Sequence, residues 1–307
     1  MNKYTGFCDL CVPYNSSVKE LKEILKELQD LGYKNVAIEQ VYDHINNPGD
    51  KKNDPIPAAA DLSILSKELK GHLRLLNRLT IIYADNSVTL IMNRSANLRR
   101  YHLLSVVPTT DDAFQHACQT VNCDIISYNN DTVRGKMSRK YYFLAVSRNI
   151  MFEIKYGPAI INSNHRKDII NRAHRYHSYG KSKNVIITSE ARNRFHVRGP
   201  YDIANLGLIF GLSEEQSKNA ILGAPRKILI AAEARRLGKA GLAISYRQKA
   251  VDSDDYSDSE LDEPIEDSDE EEEEEGEDEE EKSGEDESMQ DETNIEPPKK
   301  VAKYEIL

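Results

Sequence analysis

No apolar run in this chain approaches the roughly 20 residues a membrane-spanning helix requires. The opening MNKYTGFCDL also lacks the basic-then-apolar layout of a secretory leader. Both absences lead us to expect a soluble intracellular protein with no membrane partner. Cysteine is scarce, four in 307 residues, which excludes a disulfide scaffold and fits a reducing compartment. No Gly-x-Gly-x-x-Gly follows the first expected strand, which counts against a dinucleotide-binding fold. No His-x-His stands on a strand, and the eight histidines show no paired ligand spacing. A hydrolytic metal cluster is therefore disfavoured, and neither a cofactor nor a bound metal is expected.

Charge is abundant but divided. Residues 251–307 hold 28 acidic and 4 basic side chains, a net −24, and the preceding 250 hold 37 basic and 23 acidic, a net +14. The overall −10 thus hides a basic body with an acidic tail. A surplus of that size on a compact body is what a nucleic-acid binder needs, because each cation placed on a phosphate releases a condensed counterion. The tail, with almost no apolar side chains, cannot offset its ordering entropy by burial and is expected to be disordered. Within it, Pro297-Pro298-Lys299-Lys300-Val301-Ala302-Lys303 resembles a short nuclear-import signal. Ser253, Ser257, Ser259 and Ser268 stand in surroundings that suit an acidophilic kinase. The organisation expected is one domain over 1–250 and the tail over 251–307.

Through the body, short β-branched runs alternate with amphipathic stretches, the rhythm of βα units around a parallel sheet. A strand is expected over 4–10, then a helix opened by a Ser17/Glu20 capping box, carrying Val18, Leu21, Leu25, Leu28 and Leu31 inward and stopped by Gly32. Further strands are expected over 34–39, 78–83, 103–107, 124–127, 143–146, 151–156 and 184–188. Helices are expected over 87–100, 111–120 and 164–179, and across most of 202–237. Seven or so strand–helix units fit a TIM-like (β/α) barrel better than an open sheet.

Candidate sites follow from that frame. Cys8 and Cys11, with Cys118 and Cys123, would make four zinc ligands, but residues three apart on a strand face opposite ways, so buried free thiols are expected. Asp9, Glu39, Asp85, Glu153 and Glu190 fall at or near the C-terminal ends of strands, where a barrel phosphoesterase would hold Mg²⁺ or Mn²⁺. Basic clusters are more telling. Arg94, Arg99 and Arg100 form one; Arg134, Lys136, Arg139 and Lys140, beside two tyrosines, form another; Arg192, Arg194 and Arg198 form a third; Arg226, Lys227, Arg235, Arg236 and Lys239 form a fourth. On the helix over 164–179, Arg172 and Arg175 are expected to face outward. Arginine-rich, tyrosine-interleaved stretches suit contact with an RNA backbone and stacking on unpaired bases.

From Phe195 to Ser213 the chain reads FHVRGPYDIANLGLIFGLS. This run closely resembles the signature of the thirty-kilodalton protein subunit of eukaryotic ribonuclease P and ribonuclease MRP. Phe7-Cys8-Asp9-Leu10, Phe152-Glu153 with Tyr156-Gly157-Pro158, and Lys183-Asn184-Val185-Ile186-Ile187-Thr188-Ser189 fall in that family's order, so the likeness spans nearly all of 1–250. The resemblance implies a barrel like that of metal-dependent phosphoesterases which has become a non-catalytic subunit. The particle's RNA would remove 5′ leaders from precursor tRNA, with precursor tRNA contacted indirectly and a role in rRNA processing through MRP. It also implies a small ferredoxin-like protein partner, other subunits, and a nuclear and nucleolar location. Within the signature, Tyr201, Asp202 and Asn205 are the polar residues suited to contact with RNA or a partner. Two other readings remain at this point: an active phosphoesterase using Asp9, Glu39 and Glu153, and an acidic-tailed nuclear chaperone.

Overall fold

The computed structural model describes residues 4–14, 17–47, 54–69 and 71–237. The acidic region over 251–307, with its serines and its Pro-Pro-Lys-Lys run, lies outside the described residues. Seven strands form one parallel sheet in sequence order: β1 (Cys8–Pro13), β2 (Asn35–Asp43), β3 (Arg74–Tyr83), β4 (Leu103–Pro108), β5 (Ile125–Ile126), β6 (Met151–Lys155) and β7 (Val185–Thr188). Around them run α1 (Val18–Asp30), α2 (Ser63–Glu68), α3 (Val88–Arg94), α4 (Asp111–Gln119), α5 (Arg139–Ser147), α6 (Tyr156–Ile161) and α7 (Ser163–Gly180). Three further helices follow β7: α8 (Pro200–Ile209), α9 (Glu214–Ile221) and α10 (Gly223–Leu237). The sheet curls until its edges meet. The amide of Glu190, just past β7, donates to the Cys11 carbonyl at 2.8 Å, and the Ser189 amide donates to the Asp9 carboxylate at 3.1 Å. The result is a nearly closed, seven-stranded (β/α) barrel, as the rhythm of the sequence implies.

Because the strands are parallel, one end of the barrel collects every strand's C-terminus, the upper rim, and the other every N-terminus, the lower rim. Side chains alternate along a strand, and the inward ones form layers. Leu10, Ala37, Leu76, Leu103, Ile125, Met151 and Ile186 fill the lower barrel, and Ala224, Ile228, Leu229 and Ala232 of α10 pack against them. Each such side chain fully buried contributes about 1.5–3 kcal/mol, so α10 is held as a plug across the lower mouth. Two positions further along six of these strands stand Glu39, Arg78, Ser105, Ser127, Glu153 and Thr188, all buried.

Local chemistry explains where elements differ from the sequence reading. β1 starts at Cys8 rather than at residue 4, because Gly6 turns the chain with φ 84°. Ser17 occupies the N-cap of α1, but its side chain makes no capping bond, and Val18 is exposed. The single helix expected over 87–100 is broken: Asp54 accepts from the Ser95 hydroxyl (2.9 Å) and the Asn97 amide (3.0 Å), pulling the chain out of helix after Arg94. The strand expected over 143–146 is helix α5. The Ser138 hydroxyl caps it by accepting from the Tyr141 amide, and Tyr142 stacks on Phe152 with ring centroids 4.4 Å apart. In α8, Ile203, Ala204 and Gly207 turn inward, the last against Ser217 of α9. Leu208 and Ile209, apolar residues of the same helix, are exposed. A Ser213/Gln216 capping box opens α9.

Candidate nucleic-acid interface

The barrel interior is the first place to look for chemistry, and it is already filled. Arg78, wholly buried, sends both terminal nitrogens to Glu153 at 2.5 and 2.7 Å. Its other donors reach the Leu10 carbonyl (2.9 Å), the Ser105 hydroxyl (3.0 Å) and the Thr80 hydroxyl (3.2 Å), which uses all five N–H groups. Glu153 additionally accepts from Ser127 and from Thr188 (2.9 Å), so each carboxylate oxygen takes two bonds. Glu39 lies 3.3 Å from Arg78 and accepts from Thr80 at 2.5 Å. Lys155, above this layer, faces Glu190 at 3.6 Å. Burial pushes the Glu153 carboxyl up, but the Arg78 guanidinium, Lys155 and the Ser127 hydroxyl outweigh it and hold the group at about 2.

That arrangement does not fit the divalent ions which the fold family implies. A hard cation needs free carboxylate lone pairs, and those of Glu153 are saturated. Two cations, Arg78 and Lys155, already compensate the charge of Glu153 and Glu39. Asp9 is committed to the barrel seam, its Oδ1 accepting from the Cys11 and Ser189 amides at 3.2 and 3.1 Å. Asp85 caps its own turn by accepting from the Ser87 amide. Among the described residues, no group of three or more His, Cys, Asp or Glu is placed to hold a metal. The four cysteines are buried and free, with burial pushing the Cys8 and Cys118 thiols up to about 12. Among the described residues, the three carboxylates named for a phosphoesterase, Asp9, Glu39 and Glu153, are thus not disposed to share a metal ion.

The Arg78 network was not anticipated, although its signal is in the strands: Ala37-x-Glu39, Leu76-x-Arg78-x-Thr80, Leu103-x-Ser105, Ile125-x-Ser127, Met151-x-Glu153 and Ile186-x-Thr188 each pass from apolar to polar at a spacing of two. A period of two places both members of each pair on one face.

The basic residues lie outside, and the fold sorts them into two groups at opposite rims. On the upper rim, the connection from β5 to α5 carries Arg134 and Lys136, and the first turn of α5 carries Arg139 and Lys140, all exposed. The connection from β7 to α8 adds Arg192 and Arg194, exposed, and Arg198, half-buried. Arg194 lies over the exposed ring of Phe195, 4.7 Å from its centroid, and Arg139 lies over Phe143 at 5.6 Å. Arg134 is paired with Asp168 at 2.8 Å while staying largely in solvent. Arg99 and Arg100 belong to the lower rim, just before β4, and the fold does not bring them to the cations of the upper rim.

Three of the expected contact residues brace the fold. Arg172 does not face outward: it is buried, donating to the Tyr176 hydroxyl (2.7 Å) and the Thr132 and Val133 carbonyls (3.0 and 3.1 Å). Arg175 donates to the Gly135 and Val133 carbonyls at 2.7 and 3.0 Å. Together they pin the loop presenting Arg134 and Lys136. The periodicity of α7 put these arginines opposite its apolar stripe, but a helix flanked by a carbonyl-rich loop has a second buried side. Arg198 likewise braces its own loop, donating to the Phe195 and Val197 carbonyls at 2.7 Å. Its amide donates to Tyr156, and its carbonyl accepts from Tyr33. On α8, Tyr201, Asp202 and Asn205 are exposed beside Leu208 and Ile209. An outward helix face with both apolar and polar groups suits a protein contact.

The family model described as RNase P subunit p30 matches residues 6–237. The mouse protein named Ribonuclease P protein subunit p30 is 32% identical over 265 residues, covering 82% of this chain and 95% of its own length. The fission-yeast protein named Probable ribonuclease P protein subunit 3 is 26% identical over 240 residues, covering 75% of this chain and 95% of itself. Among solved structures, a chain of an archaeal ribonuclease P with mature tRNA superposes with a TM-score of 0.56 at 12% identity, over 80% of this chain and all of that one, which is a likeness of fold. On the match across its whole barrel, the chain belongs to the RNase P subunit p30 family.

Proposed function

We propose that the chain is a non-catalytic protein subunit of ribonuclease P and of MRP, and that it binds and braces the particle's RNA for removal of 5′ leaders from precursor tRNA and for rRNA processing. The family match over residues 6–237 carries this reading. The upper rim supplies the means: Lys136, Arg139, Lys140 and Arg194 offer exposed charge to phosphates, and Phe195 offers a ring to an unpaired base. The outward face of α8, with Tyr201, Asn205, Leu208 and Ile209, is the place for the small ferredoxin-like subunit. Precursor tRNA is contacted through the assembled particle, and the Pro297–Lys303 run supports a nuclear and nucleolar location.

The test is to purify the tagged protein from its own cells at moderate salt and sequence the RNA that accompanies it. Ribonuclease P or MRP RNA, with precursor-tRNA cleavage in the eluate, is expected; an RNA-free eluate would sink the reading. Lys136→Glu with Arg194→Glu is expected to reduce the RNA recovered about tenfold and to lower the salt slope of binding by roughly 2, since each lost phosphate contact removes close to one released counterion. Leu208→Lys with Ile209→Lys, on exposed positions, is expected to change stability by no more than about 0.5 kcal/mol. The same pair should deplete partner proteins from the eluate, as read by mass spectrometry.

A further inference from the structure

The upper rim also holds a cavity, of about 70 Å³, where the turn before α4 meets the loop between β5 and α5. Arg172 of α7 contributes to its lining although the residue is only 3% exposed. Three of its five N–H groups go to the Tyr176 hydroxyl and the Thr132 and Val133 carbonyls, and its guanidinium lies 4.7 Å from the centroid of the Tyr128 ring. The two N–H groups of Nη2 have no hydrogen-bond partner among the described residues. Lys136, Asp111 and Asp131, all exposed, line the same cavity, and among the described residues no ion pair involves any of these four charged side chains. The threonines of the lining have their hydroxyl hydrogens committed: Thr109 donates to the Tyr83 carbonyl (3.1 Å), Thr110 to the Ala84 carbonyl (2.8 Å) and Thr132 to the Asn129 side chain (2.9 Å). Arg172 and Lys136 are therefore the side-chain donors of the cavity, and Asp111 and Asp131 are its charged acceptors.

An occupant has to match two cations and two carboxylates at once. A phosphate meets only the cations and sets a further negative charge beside Asp111 and Asp131, which repel it. Guanine meets both: arginine or lysine reads its acceptors O6 and N7, and a carboxylate accepts from its adjacent donors on N1 and N2. The other RNA bases present one donor nitrogen each, N6 of adenine, N4 of cytosine and N3 of uracil, so none pairs with a carboxylate through two. The size agrees, because a cavity of this volume has room for a few waters, which is the space of a base's polar edge rather than of a whole nucleotide. Pro108 and Phe114 add apolar lining. We propose that this cavity binds an unpaired guanine of the RNA, with Arg172 donating to its acceptor side, Asp111 and Asp131 accepting from its donor side, and Lys136 serving the neighbouring phosphate. The inference rests on the RNA-binding reading of the upper rim and adds base selectivity to it. Arg172 is fixed by its other bonds before the base arrives, so its free donors are preorganised, whereas exposed cations on phosphates carry no sequence information.

The experiment titrates the full chain into fluorescent RNA pentamers UUNUU, with guanine, adenine, cytosine or uracil at the centre, and follows anisotropy at one salt concentration. The guanine pentamer is expected to bind about tenfold more tightly than the other three, the discrimination of one bidentate base contact. Inosine at the centre, which lacks the N2 amino group, is expected to bind about fivefold more weakly than guanine for the one hydrogen bond lost. Because Arg172 also braces the fold, the variant is made at the exposed carboxylates. Asp111→Ala with Asp131→Ala is expected to bring guanine within about twofold of uracil by removing that contact, with the thermal midpoint unchanged and the uracil pentamer bound no more weakly than by the native protein. Absence of binding by every pentamer, inosine bound as tightly as guanine, or a guanine preference that survives the alanine pair would each overturn the proposal. Equal binding of the four pentamers, tightened alike by the alanine pair, would overturn it in favour of a phosphate in the cavity. None of these outcomes decides whether the protein carries ribonuclease P or MRP RNA out of its own cells, so failure here is separate from failure of the RNA-binding reading.

Discussion

Arg78→Met is expected to lower the free energy of unfolding by about 3–5 kcal/mol, because removing one partner of a buried pair leaves the other charge uncompensated. Here two carboxylates in the barrel interior, Glu153 and Glu39, lose the guanidinium and keep Lys155 as their nearby cation. For a domain of this size the loss moves the thermal midpoint down by roughly 10 °C, measurable by calorimetry or circular dichroism. Methionine fills much of the arginine's volume, so the effect is electrostatic rather than that of a cavity. Arg78→Lys keeps the charge but not the planar fork that meets Glu153, Leu10, Ser105 and Thr80 together, and it is expected to lose roughly half as much. A midpoint for Arg78→Met within 2 °C of the native protein, by the same scaling, would show that the network contributes little. The functional consequence runs through the rims. The strands that carry the network also carry the loops of the upper rim, so RNA binding should weaken with the fold and not independently of it.

The strands with the clearest punctuation were legible in the sequence, and so was the architecture. β2, β4, β6 and β7 lie where β-branched runs stand between turn residues, and α1 ends at Gly32, whose φ of 90° suits glycine. Phe143-Leu144-Ala145-Val146 misled because four apolar residues have no period that separates strand from helix. What decides the matter is Ser138 five residues earlier, and the packing of Tyr142 on Phe152 and Tyr176. The two-residue β5 was visible because Asp124 and Ser127 bracket it. The family signature was legible as sequence, but not the roles inside it. Arg198 reads as a contact residue and is a brace, and Leu208 and Ile209, though apolar, lie on the surface. Nor can a count of cations reveal that Arg99 and Lys136 belong to opposite rims, because that separation comes from the shared direction of seven strands.

Asp9→Asn is expected to make the protein more stable at neutral pH, although it removes a carboxylate that ties β1 to β7. Asp9 is buried, its Oδ2 has no hydrogen-bond partner, and burial pushes its carboxyl up to about 6 despite the help of the Ser189 and Cys11 amides. The native state therefore holds this proton more tightly than the unfolded chain, whose carboxyl titrates near 3.8. As pH rises from about 4 through 6, the stability due to Asp9 is lost, by about 3 kcal/mol for a shift of this size. Glu153 has the opposite sign: held at about 2 against an ordinary 4.5, it contributes stability above 4.5 that disappears as pH falls through 2. Asparagine keeps an acceptor for the two amides and carries no charge to bury. The variant should exceed the native protein by about 2–3 kcal/mol at pH 7.5, the gap closing towards pH 4 as Asp9 becomes neutral in the native protein. Denaturant unfolding of both proteins at the two pH values decides the matter. A gap unchanged with pH would mean that the seam's geometry, not the charge of Asp9, sets the difference, and a variant weaker at pH 7.5 would mean that the ionised carboxylate is what closes the barrel.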